Sequence, residues 1–173
     1  MKLSKYALMI ALTGIMTAGA AHAATQGATQ SVIANIKFDT PLALTNNSNI
    51  QFGTVKAGQS GTYVIDTNNS ITASGTGVWL YGTPASGNLS VSGSTTDAVT
   101  ITTSNYVANG GVTPSAATCK YGTGTATACD SGIPGAAPGT ATPLLVGVQV
   151  VADGSQAAGS TATPSFTVSV VYN

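Results

Sequence analysis

Ser165-Phe166-Thr167-Val168-Ser169-Val170-Val171-Tyr172-Asn173 alternates apolar and mostly polar side chains. On an extended strand successive side chains point to opposite faces, so Phe166, Val168, Val170 and Tyr172 share one apolar face. The same period of two appears near the other end, in Ser31-Val32-Ile33-Ala34-Asn35-Ile36-Lys37-Phe38-Asp39, with Val32, Ala34, Ile36 and Phe38 on one face. Between them lie short β-branched runs: 42–44, 50–55, 62–66, 70–73, 78–81, 89–92, 99–103 and 144–151. Turn formers such as Asp66-Thr67-Asn68-Asn69 and Ala108-Asn109-Gly110-Gly111 separate them. After residue 23 no stretch of 12 residues shows a helical period. The pattern predicts an all-β sandwich. Residues 131–143 hold Pro134, Pro138, Pro143 and three glycines, and read as a loop.

The 173 residues carry five basic and five acidic side chains, 6% charged, where about a quarter is usual. That balance lacks the basic cluster a nucleic-acid partner requires. Met1 to Lys5 holds two lysines, Tyr6 to Ala20 is nearly all apolar, and Ala21-His22-Ala23 supplies small residues where a signal peptidase reads. This is the layout of a secretory signal at 1–23, with Ala24 as the first mature residue. The mature chain then keeps three lysines against five aspartates, a formal charge of −2, and no His, Arg or Glu.

Cys119 and Cys129 stand ten residues apart in this exported chain and read as a disulfide. A redox pair would want Cys-x-x-Cys spacing, and zinc would want more ligands. Without His, Ser-His-Asp and Cys-His catalysis have no base. Without Glu or Arg, glycosidase pairs and phosphate clamps are thin. Asp130-Ser131-Gly132 looks like an aspartic protease loop, but it is a single copy and reads better as a surface turn. Asp66-Thr67-Asn68-Asn69 is too poor in acids for calcium and reads as an Asp-initiated turn. Trp79 reads as a core plug. The expectation is no enzyme, no cofactor and no metal.

Ile50-Gln51-Phe52-Gly53-Thr54-Val55-Lys56-Ala57-Gly58, preceded by Pro41-Leu42-Ala43-Leu44-Thr45, resembles a recurrent element of bacterial secreted β proteins. Together with the ending Ser165 to Asn173 it is similar to the family called domain of unknown function 4402. The two ends also resemble pilus subunits of the chaperone–usher type. The resemblance covers roughly 28–105 and 144–173, and 106–143 departs from it as an insertion.

The resemblance implies an immunoglobulin-like Greek-key sandwich that lacks its last strand and is completed by donor-strand exchange. A periplasmic chaperone fills the gap first, and the N-terminal segment of the next subunit then replaces it at an outer-membrane usher. With the signal at 1–23, the chain divides into an extension at 24–39 and a sandwich at 40–173. Val32, Ala34, Ile36 and Phe38 are the candidate donor residues. Phe166, Val168, Val170 and Tyr172 would line the receiving groove. Burial of the donor face would contribute on the order of 5–10 kcal/mol before ordering costs. Many such donors carry a central Gly, whereas here the Gly is Gly27, so an earlier register over Ala24 to Ala34 is also open. So is a role for Val32 to Phe38 as the domain's own first strand. The expected function is a structural subunit of a bacterial surface fibre (a pilus or fimbria) that pairs with copies of itself and sits in the periplasm during assembly. The alternative is a monomeric secreted adhesion or carbohydrate-binding module. The receptor is not legible.

Overall fold

The computed structural model describes residues 29–173. The signal segment and the earlier donor register around Gly27 lie outside the described residues. The chain separates into two units, Met1–Ile36 and Lys37–Asn173. Of the first, residues 29–36 are exposed and have no regular secondary structure.

The second unit is all β. Its strands are β1 (Ala43–Ser48), β2 (Thr54–Val55), β3 (Ser60–Ile65), β4 (Ile71–Gly75), β5 (Trp79–Tyr81) and β6 (Gly87–Ser92). They continue as β7 (Val99–Val107), β8 (Val112–Tyr121), β9 (Thr127–Ala128), β10 (Ile133–Gly135), β11 (Thr142–Asp153) and β12 (Ser165–Tyr172). All pairings are antiparallel.

β11 organises the larger sheet. One of its edges pairs with β8 from Leu144 to Ala152. Because that edge is taken, β6 and β3 share the other edge in succession, β6 against 142–146 and β3 against 148–153. β1 continues beyond β6, and β4 beyond β3. Leu144, Val146, Val148, Val150 and Ala152 are buried at every second position, the period expected of one inward face. Gly147 lies where the partner changes from β6 to β3. A Cβ there would run into the Ile65 carbonyl and come within 2.8 Å of Thr118 Oγ1.

A second sheet has the order β10-β7-β12, and β2 pairs with β5 apart from both. Val99 and Ile101 from β7 are fully buried with Ile65, Val91, Ala117 and Leu144 from the larger sheet. Phe166, Val168, Val170 and Tyr172 pack half-buried on the same core. The arrangement is sandwich-like, with one core between two sheets.

The chain crosses between sheets at the β7–β8 hairpin. Asn109 and Val112 exchange two backbone hydrogen bonds of 3.0 Å. Gly110 and Gly111 have φ of 56° and 73°, the sign a two-residue turn of this hand needs at both positions. Each strand of the hairpin then carries a bulge. Asn105 (φ 53°) is the extra residue opposite β12, and Ala116 (φ 47°) the extra residue opposite β11. Bulges increase local twist, which lets consecutive strands leave for different sheets.

Three features depart from the sequence reading. Val32 to Phe38 is no strand. β8 was missed altogether, yet it pairs along most of β11 and supplies Ala117 and Cys119 to the core. Its composition, Val-Thr-Pro-Ser-Ala-Ala-Thr-Cys-Lys-Tyr, is poor in the branched residues that announce strands. β10 falls inside the stretch read as a loop, where Ile133 to Gly135 pairs with Val99 to Ile101.

Candidate functional site

The candidate donor residues stand clear of packing. Val32 is 89% exposed, Ile36 76% and Phe38 83%, and Ala34 is exposed as well. Phe38 lies within Lys37–Thr40, a segment whose other residues are fastened to the sandwich. The Tyr172 hydroxyl donates to the Thr40 carbonyl at 2.8 Å and accepts the Ser94 amide at 2.6 Å. Ser94, fully buried, donates through Oγ to Asp39 at 2.8 Å and accepts from the Thr96 and Asp97 amides at 3.1 Å. Lys37 Nζ lies 3.3 Å from Asp39 and 3.6 Å from Asp97. These carboxylates raise the Lys37 pKa, Asp39 first through its hydrogen bond. Asp39 is held far below the usual carboxylate range by hydrogen bonding with Asp97, then Ser94 and the Thr40 amide.

Tyr172 therefore does more than line a face. Its phenol ties β12 to the β6–β7 turn and to the chain before β1. Tyr172→Phe leaves the buried Ser94 amide without its acceptor, a loss of about 1–2 kcal/mol. The expected outcome is a lower denaturant midpoint with faster amide exchange at Ser94. An unchanged midpoint and unchanged exchange would remove Tyr172 from this role.

β12 is an edge strand. It pairs with β7 on one side, and among the described residues no strand pairs with the other. Eight residues of open backbone beside half-buried Phe166, Val168, Val170 and Tyr172 form an edge that another extended segment can extend. Phe166 also stacks on Tyr106, centroids 5.5 Å apart.

A groove near the start of β12 has a volume of about 630 Å³. Val55, Leu80 and Tyr81 from the β2–β5 ribbon and Phe52 just before it form one wall, and residues 156–162 with Pro164 form the other. Tyr63, Val150 and Ala152, all core residues, reach its floor. Of the sequence-derived groove residues none is among its lining, and only Pro164, just before β12, borders it. One wall of this groove comes in part from the Ile50–Gly58 motif. Its Phe52 carbonyl accepts Trp79 Nε1 at 2.9 Å, so Trp79 is half-buried and braces the ribbon instead of plugging the core.

Cys119 and Cys129 form the expected disulfide, with Cα atoms 5.7 Å apart and both residues fully buried. Closing this loop stabilises by about 3 kcal/mol in the chain-entropy model. Asp130 follows it and is structural. It accepts hydrogen bonds from Thr103 at 2.6 Å and from the Tyr106 hydroxyl, which itself accepts the Ala117 amide at 3.1 Å. Burial, then the bond to Asp130, raises the Tyr106 pKa and keeps the phenol a donor. Asp66 accepts from the Asn68 and Ser70 amides at 2.8 Å, the turn expected of it. Among the described residues no group of three His, Cys, Asp or Glu gathers to hold a metal, and no helix is long and apolar enough to cross a membrane.

Compared with known proteins, the chain matches no family model, no curated protein and no solved structure.

Proposed function

We propose that the protein is a structural subunit of a bacterial surface fibre, joined to its neighbours by exchange of the 32–38 segment. In this reading the domain is an immunoglobulin-like sandwich left open beside β12, and the arm of the next copy adds the missing strand. The observation that carries it is a pairing of opposites within one chain. An arm exposes Val32, Ile36 and Phe38 to water, while among the described residues the sandwich leaves the outer edge of β12 unpaired beside half-buried apolar side chains.

The physical argument is one of burial. Full burial of a Val, Ile or Phe side chain contributes about 1.5–3 kcal/mol each, and an isolated arm forgoes that gain. Backbone pairing along an edge adds register without demanding a specific side chain. A donor on one part of the surface and an acceptor on another make a heterologous contact, which builds open chains when the rotation does not close. The partners of this reading are copies of the same chain, with a periplasmic chaperone and an outer-membrane usher during assembly. Its destination is the cell surface, after export through the inner membrane.

The test is migration of the mature protein on SDS gels, boiled and unboiled, with and without a co-expressed chaperone. The expected result is a ladder that collapses on boiling. A single monomer band in every condition would mean a self-complete fold and would sink the fibre reading.

A further inference from the structure

A second concavity lies apart from the β2–β5 ribbon, with no lining residue in common with the first groove. It is a groove of about 520 Å³ between the hairpin closed by Cys119–Cys129 and the segment that begins with β10. We propose that this groove is a binding site for a neutral saccharide.

Its chemistry is selective by what the lining offers. Hydroxyl-bearing Tyr121, Thr123, Thr125, Thr127 and Thr142 line it, the hydroxyls of Tyr121 and Thr142 keeping their acceptor lone pairs, and Ile133 and Pro134 add apolar surface. No lining residue carries a charge. The nearest candidates are turned to other tasks. Lys120 stands on the strand face opposite Tyr121, and the Asp130 carboxylate is engaged by Thr103 and Tyr106. A phosphate or a carboxylate would enter without a counter-charge and lose its water for nothing.

A sugar ring meets both halves of the lining. Its C–H face rests on apolar side chains, and its hydroxyls, each donor and acceptor, pair with threonine hydroxyls that are also both. The volume lies within the range of about 300–1,000 Å³ that small-molecule sites occupy.

The site is also held in shape before any ligand arrives. The disulfide closes the hairpin at its base. Tyr121 donates to the Ala136 carbonyl at 3.2 Å across the groove, and Thr142 donates to the Pro138 carbonyl at 2.7 Å. Walls fixed in this way spare a ligand the entropy of ordering them. This assignment gives a binding role to the 106–143 segment and stands whether or not the chain forms fibres.

The experiment is an amide NMR titration of the ¹⁵N-labelled domain with lactose, cellobiose and N,N′-diacetylchitobiose, and separately with inorganic phosphate. The expected result is saturable shifts at millimolar concentration with at least one disaccharide, confined to 121–127 and 133–142, and none there with phosphate. Thr123→Val with Thr125→Val changes two exposed hairpin-tip residues and should weaken that binding about tenfold, with the remaining spectrum unchanged. Absence of saturable shifts with all three sugars, shifts centred elsewhere, phosphate binding in the groove, or equal affinity in the double variant would each overturn the proposal.

Discussion

A chain carrying Ile36→Asp and Phe38→Asp folds as the parent does and forms no ladder on unboiled gels. Folding is spared because both side chains are largely exposed, at 76% and 83%, and neither belongs to the buried core. Assembly is not spared. Each replacement removes about 1.5–3 kcal/mol of available burial and puts a carboxylate against the apolar Phe166, Val168, Val170 and Tyr172 side of β12. A combined loss of roughly 3–6 kcal/mol lowers association by about two to four powers of ten before the charge is counted. Chaperone binding should persist, since the edge of β12 is untouched. A double variant that still gives the parent's ladder would remove the 32–38 arm as the donor and would turn attention to the earlier register around Gly27.

Leu144→Ala produces the second large effect, on stability. Leu144 is fully buried and sits where β11 is paired on both edges, opposite Leu89 of β6 and Tyr121 of β8. A position held from both sides has little freedom to collapse around a void, so the cost belongs in the middle of the usual range, about 3–4 kcal/mol. Against a total of roughly 5–15 kcal/mol for a domain, that removes a large share of the folded state's margin. Leu145→Ala, on the opposite face and only half-buried, should cost less than half as much. Equilibrium denaturation of the two variants side by side decides the matter. Equal midpoints would mean that β11 does not present one inward face.

The strands that the sequence announced are those whose residues carry the period themselves. Ser165 to Tyr172 alternates, and it is β12 over that full span. The run read as 144–151 lies inside β11, where both faces carry branched residues. The disulfide was legible because a chain with two cysteines leaves one pairing. The Asp66 turn was legible because its hydrogen bonds are local, two and four residues away.

The misreadings have a common cause. Val32 to Phe38 alternates as well as β12 does, yet it is no strand in this chain, because a strand needs a partner edge and local pattern says nothing about who supplies it. β8 failed the opposite way. Its Pro114, Ala116 and Ala117 argue against a strand locally, but pairing along β11 overrides that preference. At Pro114 only the β11 side of β8 is paired, so a residue without an N–H is tolerated there. The groove of about 630 Å³ was not legible. Phe166, Val168, Val170 and Tyr172, the residues the sequence offered for a groove, are absent from its lining, and its floor comes from Tyr63, Val150 and Ala152 on strands far apart in sequence.

By itself the sequence determined the class of this protein: all-β, with one disulfide and two strongly patterned end segments. Those are properties of spacing and composition, which act between near neighbours along the chain. Tertiary structure alone decided that one patterned end pairs and the other stays exposed. It also decided that Trp79 braces a wall instead of filling the core, and that Tyr172 reaches Thr40 and Ser94. These depend on which edges and hydrogen-bonding groups meet once β11 has gathered β3, β6 and β8, and contacts between residues so distant in sequence leave no period to read.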